Sequence, residues 1–226
     1  MIILSLDTST NVFSIAVSDG DIVIAELSGD AGPAASAKIP GHIQNLLNDA
    51  CLDITAIEAF AVTVGPGAFT GLRVGIALVK GLAYSTGKPV IPLSSLELLA
   101  LNARNSKIPV CTLFDARRGE VYSALFGFDG GLQLIRPEMA IAPAQLLAEL
   151  AGDILFIGDG ATRYRDLIID LRGEAAQFVA DELNFPRASA GAALVQSRLE
   201  AGRTVSPLEL APCYLRLPEA QLNKKL

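Results

Sequence analysis

Hydrophobic and polar positions follow two different periods along the chain, and each period predicts a type of secondary structure. A continuous apolar run over residues 2–6 predicts a strand that is buried on both faces. Alternating segments over residues 12–20 and 21–29, separated by a turn signal, predict two strands that return antiparallel. Apolar residues at helical spacing predict a helix over residues 38–51. Further strands are predicted over 57–64, 88–93, 108–114, 121–128 and 154–157, a turn over 158–164, and further helices over 72–85, 94–105, 143–151, 163–172 and 189–201.

The order of these elements occurs twice, which indicates two domains of the same kind. Each half begins with a strand, continues through a turn that carries an aspartate and a returning strand, and then alternates helices with strands. Since strands that alternate with helices are typical of layered sheets, the pattern predicts an α/β fold. We expect one domain over residues 1–106 and a second over residues 107–226, with the last helix a candidate to pack back on the first domain.

Composition and charge narrow the functional classes. Hydrophobic residues make up 51% of the sequence and charged residues 19%, which is sufficient for a sizeable core. With 18 basic and 24 acidic residues the net charge is −6, which argues against a protein that binds nucleic acid by itself. The three cysteines form no CxxC pair, which favours a reducing compartment. Because the sequence shows neither a basic leader nor an apolar run of about 18 residues, we expect a cytoplasmic protein with no membrane association.

Two aspartate turns are candidate sites. The first consists of Asp7, Thr8, Ser9 and Thr10 after a buried strand, a pattern that suits a turn holding phosphate or a hydrated metal. The alternative is a plain hairpin in which these side chains bond their own backbone. The second turn contains Asp115 and Arg117, and it is either an acidic catalytic turn or a solvated hairpin.

A glycine-rich segment, GPGAFTGLRVG over residues 65–75, follows a predicted strand and begins a helix. Such a junction can receive an anion, but neither a Walker A sequence nor a GxGxxG fingerprint is present. Gly71 and Gly75 lie on one face of the helix, where they predict the close approach of another helix. Few polar residues follow in this helix, so it is expected to lie either in a core or in an interface.

Histidine is almost absent, which weakens several enzymatic interpretations. His42 is the only histidine, so the sequence contains no HxxxH or HExxH motif and no Cys/His cluster. A Ser-His-Asp triad would depend on His42, and no GxSxG motif is present. We therefore predict no catalytic residue, no metal site and no cofactor.

Five motifs that occur in order across nearly the whole chain carry a family resemblance. They are LDTST, GPGAFTGLRVG, FDARRGEVYSAL, LFIGDGATRY and PCYLR. Together they resemble the TsaB (YeaZ) family of the bacterial tRNA threonylcarbamoyladenosine pathway. The resemblance implies two actin-like, sugar-kinase-like (ASKHA, ribonuclease H-like) domains with mixed sheets flanked by helices. It also implies a non-catalytic scaffold that stabilises the catalytic subunit TsaD during t6A37 modification of tRNA. The implied partners are TsaD, the TsaE ATPase and a second copy of the chain, with tRNA contacted only indirectly.

The resemblance also implies a set of interface residues on two helices of the N-terminal domain. TsaD carries an HxxxH metal motif, and by spacing from the glycine loop its positions here are Ser95 and Leu99, which cannot replace imidazole ligands. The two aspartate turns are then vestigial phosphate turns. The alternatives are an independent ATPase or kinase of the same fold and an M22-type peptidase. The expected partner-interface residues are Ile39, His42, Ile43, Leu46, Leu47, Phe69, Thr70, Gly71, Arg73, Val74, Gly75 and Leu78.

Overall fold

The computed structural model describes residues 1–32 and 37–215, which divide into two compact units. Unit 1 comprises Met1–Leu98 and Pro186–Pro212. Unit 2 comprises Leu99–Phe185 and the segment that begins at Cys213. The predicted domains divide the chain once, near residue 106, whereas the chain of the structure returns to unit 1 at Pro186.

Strands and helices alternate along both units after an initial group of strands. Short 3-10 turns lie at Ile54–Ala56, Leu101–Ala103, Gly173–Ala175, Asp181–Leu183 and Ala188–Gly191. In chain order the strands and helices are β1 (Ile2–Asp7), β2 (Val12–Asp19), β3 (Ile22–Asp30), α1 (Ile39–Asp49), β4 (Ala59–Gly65), α2 (Phe69–Thr86), β5 (Val90–Ser94), α3 (Ser95–Ala100), β6 (Val110–Asp115), β7 (Val121–Gly127), β8 (Gln133–Ile141), α4 (Pro143–Glu149), β9 (Ile154–Ile157), α5 (Asp159–Arg163), α6 (Arg165–Arg172), β10 (Ala176–Phe178) and α7 (Ala192–Glu200).

Each unit contains a five-stranded mixed sheet, and the two sheets have the same order of strands. In unit 1 the order is β3-β2-β1-β4-β5, with β1, β2 and β3 antiparallel and β1, β4 and β5 parallel. In unit 2 the order is β10-β9-β6-β7-β8, with the same division into antiparallel and parallel pairs. Helices cover both faces of the first sheet, so the predicted mixed sheets flanked by helices are confirmed.

The core of unit 1 has two layers, one on each face of the sheet. On one face α1 and α2 pack against the strands, and on the other α7 packs through the fully buried Val195. Polar contacts fix the second layer: the Arg198 guanidinium donates to both carboxylate oxygens of Glu97 (2.7 Å each). The Ala188 N–H donates to the Ser14 hydroxyl (2.9 Å) in the same layer. The segment Pro186–Pro212 is therefore an integral part of unit 1.

Three elements differ from the sequence-based prediction. Helix α5 lies in the segment 158–164 that was expected to be a turn. Strand β8 was not predicted, because only one of its nine residues is buried and Pro137 interrupts its pattern. Proline is tolerated there because β8 lies at the edge of its sheet. Strand β10 was also not predicted, since three residues carry too little pattern.

The turn after β1 packs directly against the first two turns of α2. The Thr8 hydroxyl donates to the Gly71 carbonyl oxygen (2.8 Å), and the Ala68 N–H donates to the Ser9 carbonyl oxygen (2.7 Å). A Cβ atom at Gly71 or Gly75 would overlap Thr8, so these glycines allow the turn to approach the helix. The sequence-based interpretation of this glycine pair, the close approach of another helix, is therefore wrong.

The carboxyl group of Asp7 lies fully buried at the end of β1. Its Oδ1 accepts hydrogen bonds from the Thr63 hydroxyl (2.7 Å) and the Ser9 N–H (3.3 Å). Its Oδ2 has no hydrogen-bond partner within the described ranges. Burial removes hydration from the charged form and raises the pKa of Asp7 from an ordinary value of 3.8 to about 6. Folding therefore stabilises the protonated form of Asp7 relative to the ionised form.

Two glycines of α2 provide a matched test of this packing. We expect Gly75→Ala to lower the free energy of unfolding by roughly 1–3 kcal/mol, because the new methyl group overlaps the Thr8 hydroxyl. We expect Gly81→Ala to leave it unchanged or to raise it by up to about 1 kcal/mol, because a Cβ atom there would meet no atom within 4 Å beyond its chain neighbours and the helix's own backbone. Urea unfolding measures both. Equal effects of the two substitutions would contradict the described packing.

The substitution Asp7→Asn tests the buried carboxyl group. Since the folded-state pKa of Asp7 is raised, its stabilising contribution is complete below about pH 4 and is lost as the pH rises through about 6. We expect the free energy of unfolding of the Asp7→Asn variant to exceed that of the wild type by up to roughly 3 kcal/mol at pH 7.5. The two values are expected to become equal near pH 4. Urea unfolding at several pH values measures this, with the exposed Asp21→Asn as control. A difference that does not depend on pH would contradict the assignment.

Candidate functional site

The first aspartate turn is enclosed within unit 1. Asp7, Thr8, Ser9 and Thr10 are all buried, with at most 7% of each residue exposed. The backbone N–H groups of Ser9 and Val12 donate to the Asp7 and Thr10 side chains, respectively. A phosphate site needs such donors turned toward a ligand. Here the N–H groups of Ser9 and Val12 bond to side chains of the turn itself, and the Thr8 hydroxyl bonds to the Gly71 carbonyl oxygen of α2.

The second aspartate turn, by contrast, lies at the surface of unit 2. The Asp115 N–H donates to Asp159 Oδ1 (3.0 Å), and Asp115 Oδ1 accepts from the Arg117 N–H (3.0 Å). The Arg163 guanidinium lies 3.3 Å from Asp115 Oδ2. Burial raises the pKa of Asp159, and the neighbouring Asp115 carboxylate adds to that shift. Arg117 is exposed and has a φ of 60°, as expected of a tight hairpin.

The outer face of α2 carries several of the predicted interface residues. Phe69, Thr70 and Arg73 are exposed at the start of the helix, where the Arg73 guanidinium lies 3.8 Å from the centre of the Phe69 ring. This geometry is a cation–π pair. Val74 and Leu78 are only partly buried, and both contact the edge of the core. These five residues therefore lie on a continuous part of the first three turns.

Three further residues extend this surface, and the sequence analysis did not select them. Ala77, Gly81 and Tyr84 are exposed along the same helix, and Tyr84 is 74% exposed. Their spacing after Arg73, at intervals of three or four residues, is the signal that identifies one helical face. We call Phe69, Thr70, Arg73, Ala77, Gly81 and Tyr84 the α2 surface. Its centre consists of small side chains, while the two glycines at the start of the helix face Thr8 instead.

The predicted contribution of α1 is corrected by its burial. Ile39, Ile43, Leu46 and Leu47 lie in the core of unit 1, where they pack against the sheet, so they are not available to a partner. Helical periodicity identifies an apolar face but not what covers it, which is why the sequence placed them in an interface. His42 is partly buried and stacks on Phe13, with ring centres 5.2 Å apart.

The positions expected to correspond to the TsaD metal motif are both buried. Ser95 and Leu99 have 0% exposure. Within residues 1–32 and 37–215, no group of three or more His, Cys, Asp or Glu side chains could hold a metal ion. Among the same residues, no helix combines the length and the apolar character that crossing a membrane would require.

Comparisons with known proteins identify relatives of this chain. The family model described as TsaD, tRNA N6-adenosine threonylcarbamoyltransferase, matches residues 30–224. A Bacillus subtilis protein named tRNA threonylcarbamoyladenosine biosynthesis protein TsaB is 34% identical, over 98% of this chain and 96% of the relative. The solved structure of YeaZ from Pseudomonas aeruginosa has a TM-score of 0.83 at 27% identity, covering 95% of this chain and 99% of that one.

A more distant structure shows the fold alone. The ROK hexokinase from Thermus thermophilus has a TM-score of 0.51 at 12% identity, covering 89% of this chain and 100% of that one. Together with the paired mixed sheets, this likeness confirms the predicted sugar-kinase-like (ASKHA) fold. The near-complete alignment with the Bacillus subtilis relative identifies the family more narrowly: the chain belongs to the TsaB (YeaZ) family.

Proposed function

We propose that this protein takes part in tRNA threonylcarbamoyladenosine biosynthesis as a non-catalytic subunit that binds TsaD and favours its active conformation. Relatives that align over nearly their whole length are named for this pathway. A subunit of this kind acts by binding the active state of its partner more tightly than the inactive state. The TsaE ATPase and a second copy of the chain are further proposed partners, with tRNA contacted only through the complex.

The position of His42, the only histidine of the sequence, supports the non-catalytic part of the proposal. His42 stacks on Phe13 at the side of α1. Ser95 and Leu99, which correspond to the proposed metal-binding positions of TsaD, are buried and bear no imidazole. A metal-dependent transferase or peptidase would need a cluster of ligands at such a position. The kinase alternative gains no support from the first aspartate turn, whose Thr8 hydroxyl and Ser9 carbonyl oxygen bond to the start of α2.

The α2 surface is the proposed docking site for TsaD. Its small residues at the centre allow a second helix to approach closely, while the Phe69–Arg73 pair provides an aromatic and a guanidinium anchor at one end. Aromatic residues and arginine are enriched among the residues that dominate binding energies. The same surface is the proposed site of pairing between two copies, so TsaD and a second copy would compete for it.

Reconstitution tests the proposed function directly. We expect the purified chain alone neither to hydrolyse ATP nor to modify tRNA. We expect it to restore modification when it is added to TsaD, TsaE and the threonylcarbamoyl-AMP synthase, measured by nucleoside analysis of the tRNA. Modification that proceeds equally well without the chain, or turnover by the chain alone, would falsify the proposal.

The substitution Gly81→Leu tests the docking site. Because a Cβ atom at this position would meet no atom within 4 Å beyond its chain neighbours and the helix's own backbone, we expect the variant to keep the wild-type free energy of unfolding. We expect its dissociation constant for TsaD to rise by roughly 10- to 100-fold, since the new side chain holds the two helices apart. Titration calorimetry measures the binding, with Leu208→Ala, which truncates an 80% exposed side chain elsewhere in unit 1, as control. Wild-type affinity in a folded Gly81→Leu variant would place the partner on another surface.

A further inference from the structure

The start of α2 has few of the features that normally stabilise a helix end. Its N-cap residue, Ala68, offers no side-chain oxygen, and its first turn contains no acidic residue. Gly71 and Gly75 lie in the first two turns, and glycine is among the least favourable residues in a helix interior. Taken alone, this end of the helix would fray.

Contacts from the β1 turn replace the missing stabilisation. The Ser9 carbonyl oxygen accepts a hydrogen bond from the Ala68 N–H, which the helix itself leaves without an acceptor. The Thr8 hydroxyl donates to the carbonyl oxygen of Gly71, one turn further along (2.8 Å). The side chain of Thr8 also fills the space beside Gly75, where no Cβ atom could fit. The Thr8 side chain therefore contacts both of the first two helical turns of α2, each of which contains a glycine.

The same two turns carry the Phe69–Arg73 pair. Phe69 and Arg73 are exposed on α2, while Gly71 and Gly75 meet Thr8 on its buried side. Any loss of order in these turns would therefore also disorder the exposed Phe69 and Arg73 side chains. A binding surface on a disordered helix end would lose affinity, because ordering it would cost free energy at each encounter.

We propose that Thr8 is a positioning residue for partner binding: it holds the Phe69–Arg73 pair in its docking arrangement without contacting the partner. This inference rests on the proposed function of the α2 surface. The buried turn then contributes to recognition because it orders the start of α2 before the partner binds. Asp7 supports the same turn through its bond with the Ser9 N–H, whereas the Thr8 side chain joins the turn to α2.

The matched substitutions Thr8→Val and Thr8→Ser test the proposal. Valine keeps the shape of threonine without the hydroxyl group, whereas serine keeps the hydroxyl group. We expect Thr8→Val to raise the dissociation constant for TsaD about 5-fold, the effect of one lost hydrogen bond. We expect Thr8→Ser to stay within about 2-fold of the wild type. Titration calorimetry measures both, and hydrogen exchange is expected to show lost protection over residues 69–75 only in Thr8→Val.

A double-mutant cycle separates positioning from general stability. If Thr8 acts through Arg73, the effect of Thr8→Val on the dissociation constant shrinks in an Arg73→Ala background. Faster exchange over residues 69–75 with an unchanged dissociation constant would overturn the proposal, as would full additivity in the cycle. If Phe69→Ala and Arg73→Ala do not alter binding either, the docking surface itself is wrong. Should Thr8→Val not fold, Thr8→Ala takes its place, with the same expected loss of affinity and the same overturning results.

Discussion

The fit between the β1 turn and the glycine side of α2 is the constraint on which unit 1 depends. It joins the first strand of the sheet to its longest helix through the Thr8 hydroxyl and the Ser9 carbonyl oxygen. The fit requires glycine at two helical positions, where even a methyl group would overlap Thr8. A helix with poor intrinsic stability at its start is thus tolerated because tertiary contacts replace local ones. The exposed side of the same helix remains free of that constraint.

The two units show how one sheet order can support two different turns. In unit 1 the aspartate turn is enclosed and its carboxyl group has a raised pKa. In unit 2 the corresponding turn ends in an exposed hairpin, with Asp115 beside the Arg163 guanidinium. A turn that binds phosphate needs backbone N–H groups turned toward the ligand. The enclosed first turn directs its Thr8 hydroxyl and Ser9 carbonyl oxygen to the start of α2 instead.

Local patterns in the sequence were sufficient for most of the sheets and for the repeated order of elements. The buried run at residues 2–6 and the alternating segments after it correspond to β1, β2 and β3. Strand β8 could not be predicted from the sequence, because this edge strand with an internal proline shows no alternation of apolar and polar residues. The family resemblance identified the relatives.

The candidate site was less accessible to sequence reasoning, because residue spacing does not reveal what covers a helical face. On α1 the four apolar residues assigned to a partner are covered by the sheet of the same unit. On α2 the glycines at positions 71 and 75 face Thr8, while Gly81 is the open one. Only tertiary contacts distinguish these cases, and on α2 they join residues more than 60 positions apart.

The return of the chain to unit 1 has a consequence for its synthesis. The sheet of unit 2 lies wholly within Leu99–Phe185, so it can form as soon as that stretch has left the ribosome. The face of the first sheet that contains Ile3, Ala61 and Ile91 must wait for Val195 of α7. The sheet made first is thus covered only after the strands of the second sheet have been made, and during translation its apolar face stays open to chaperones or to aggregation.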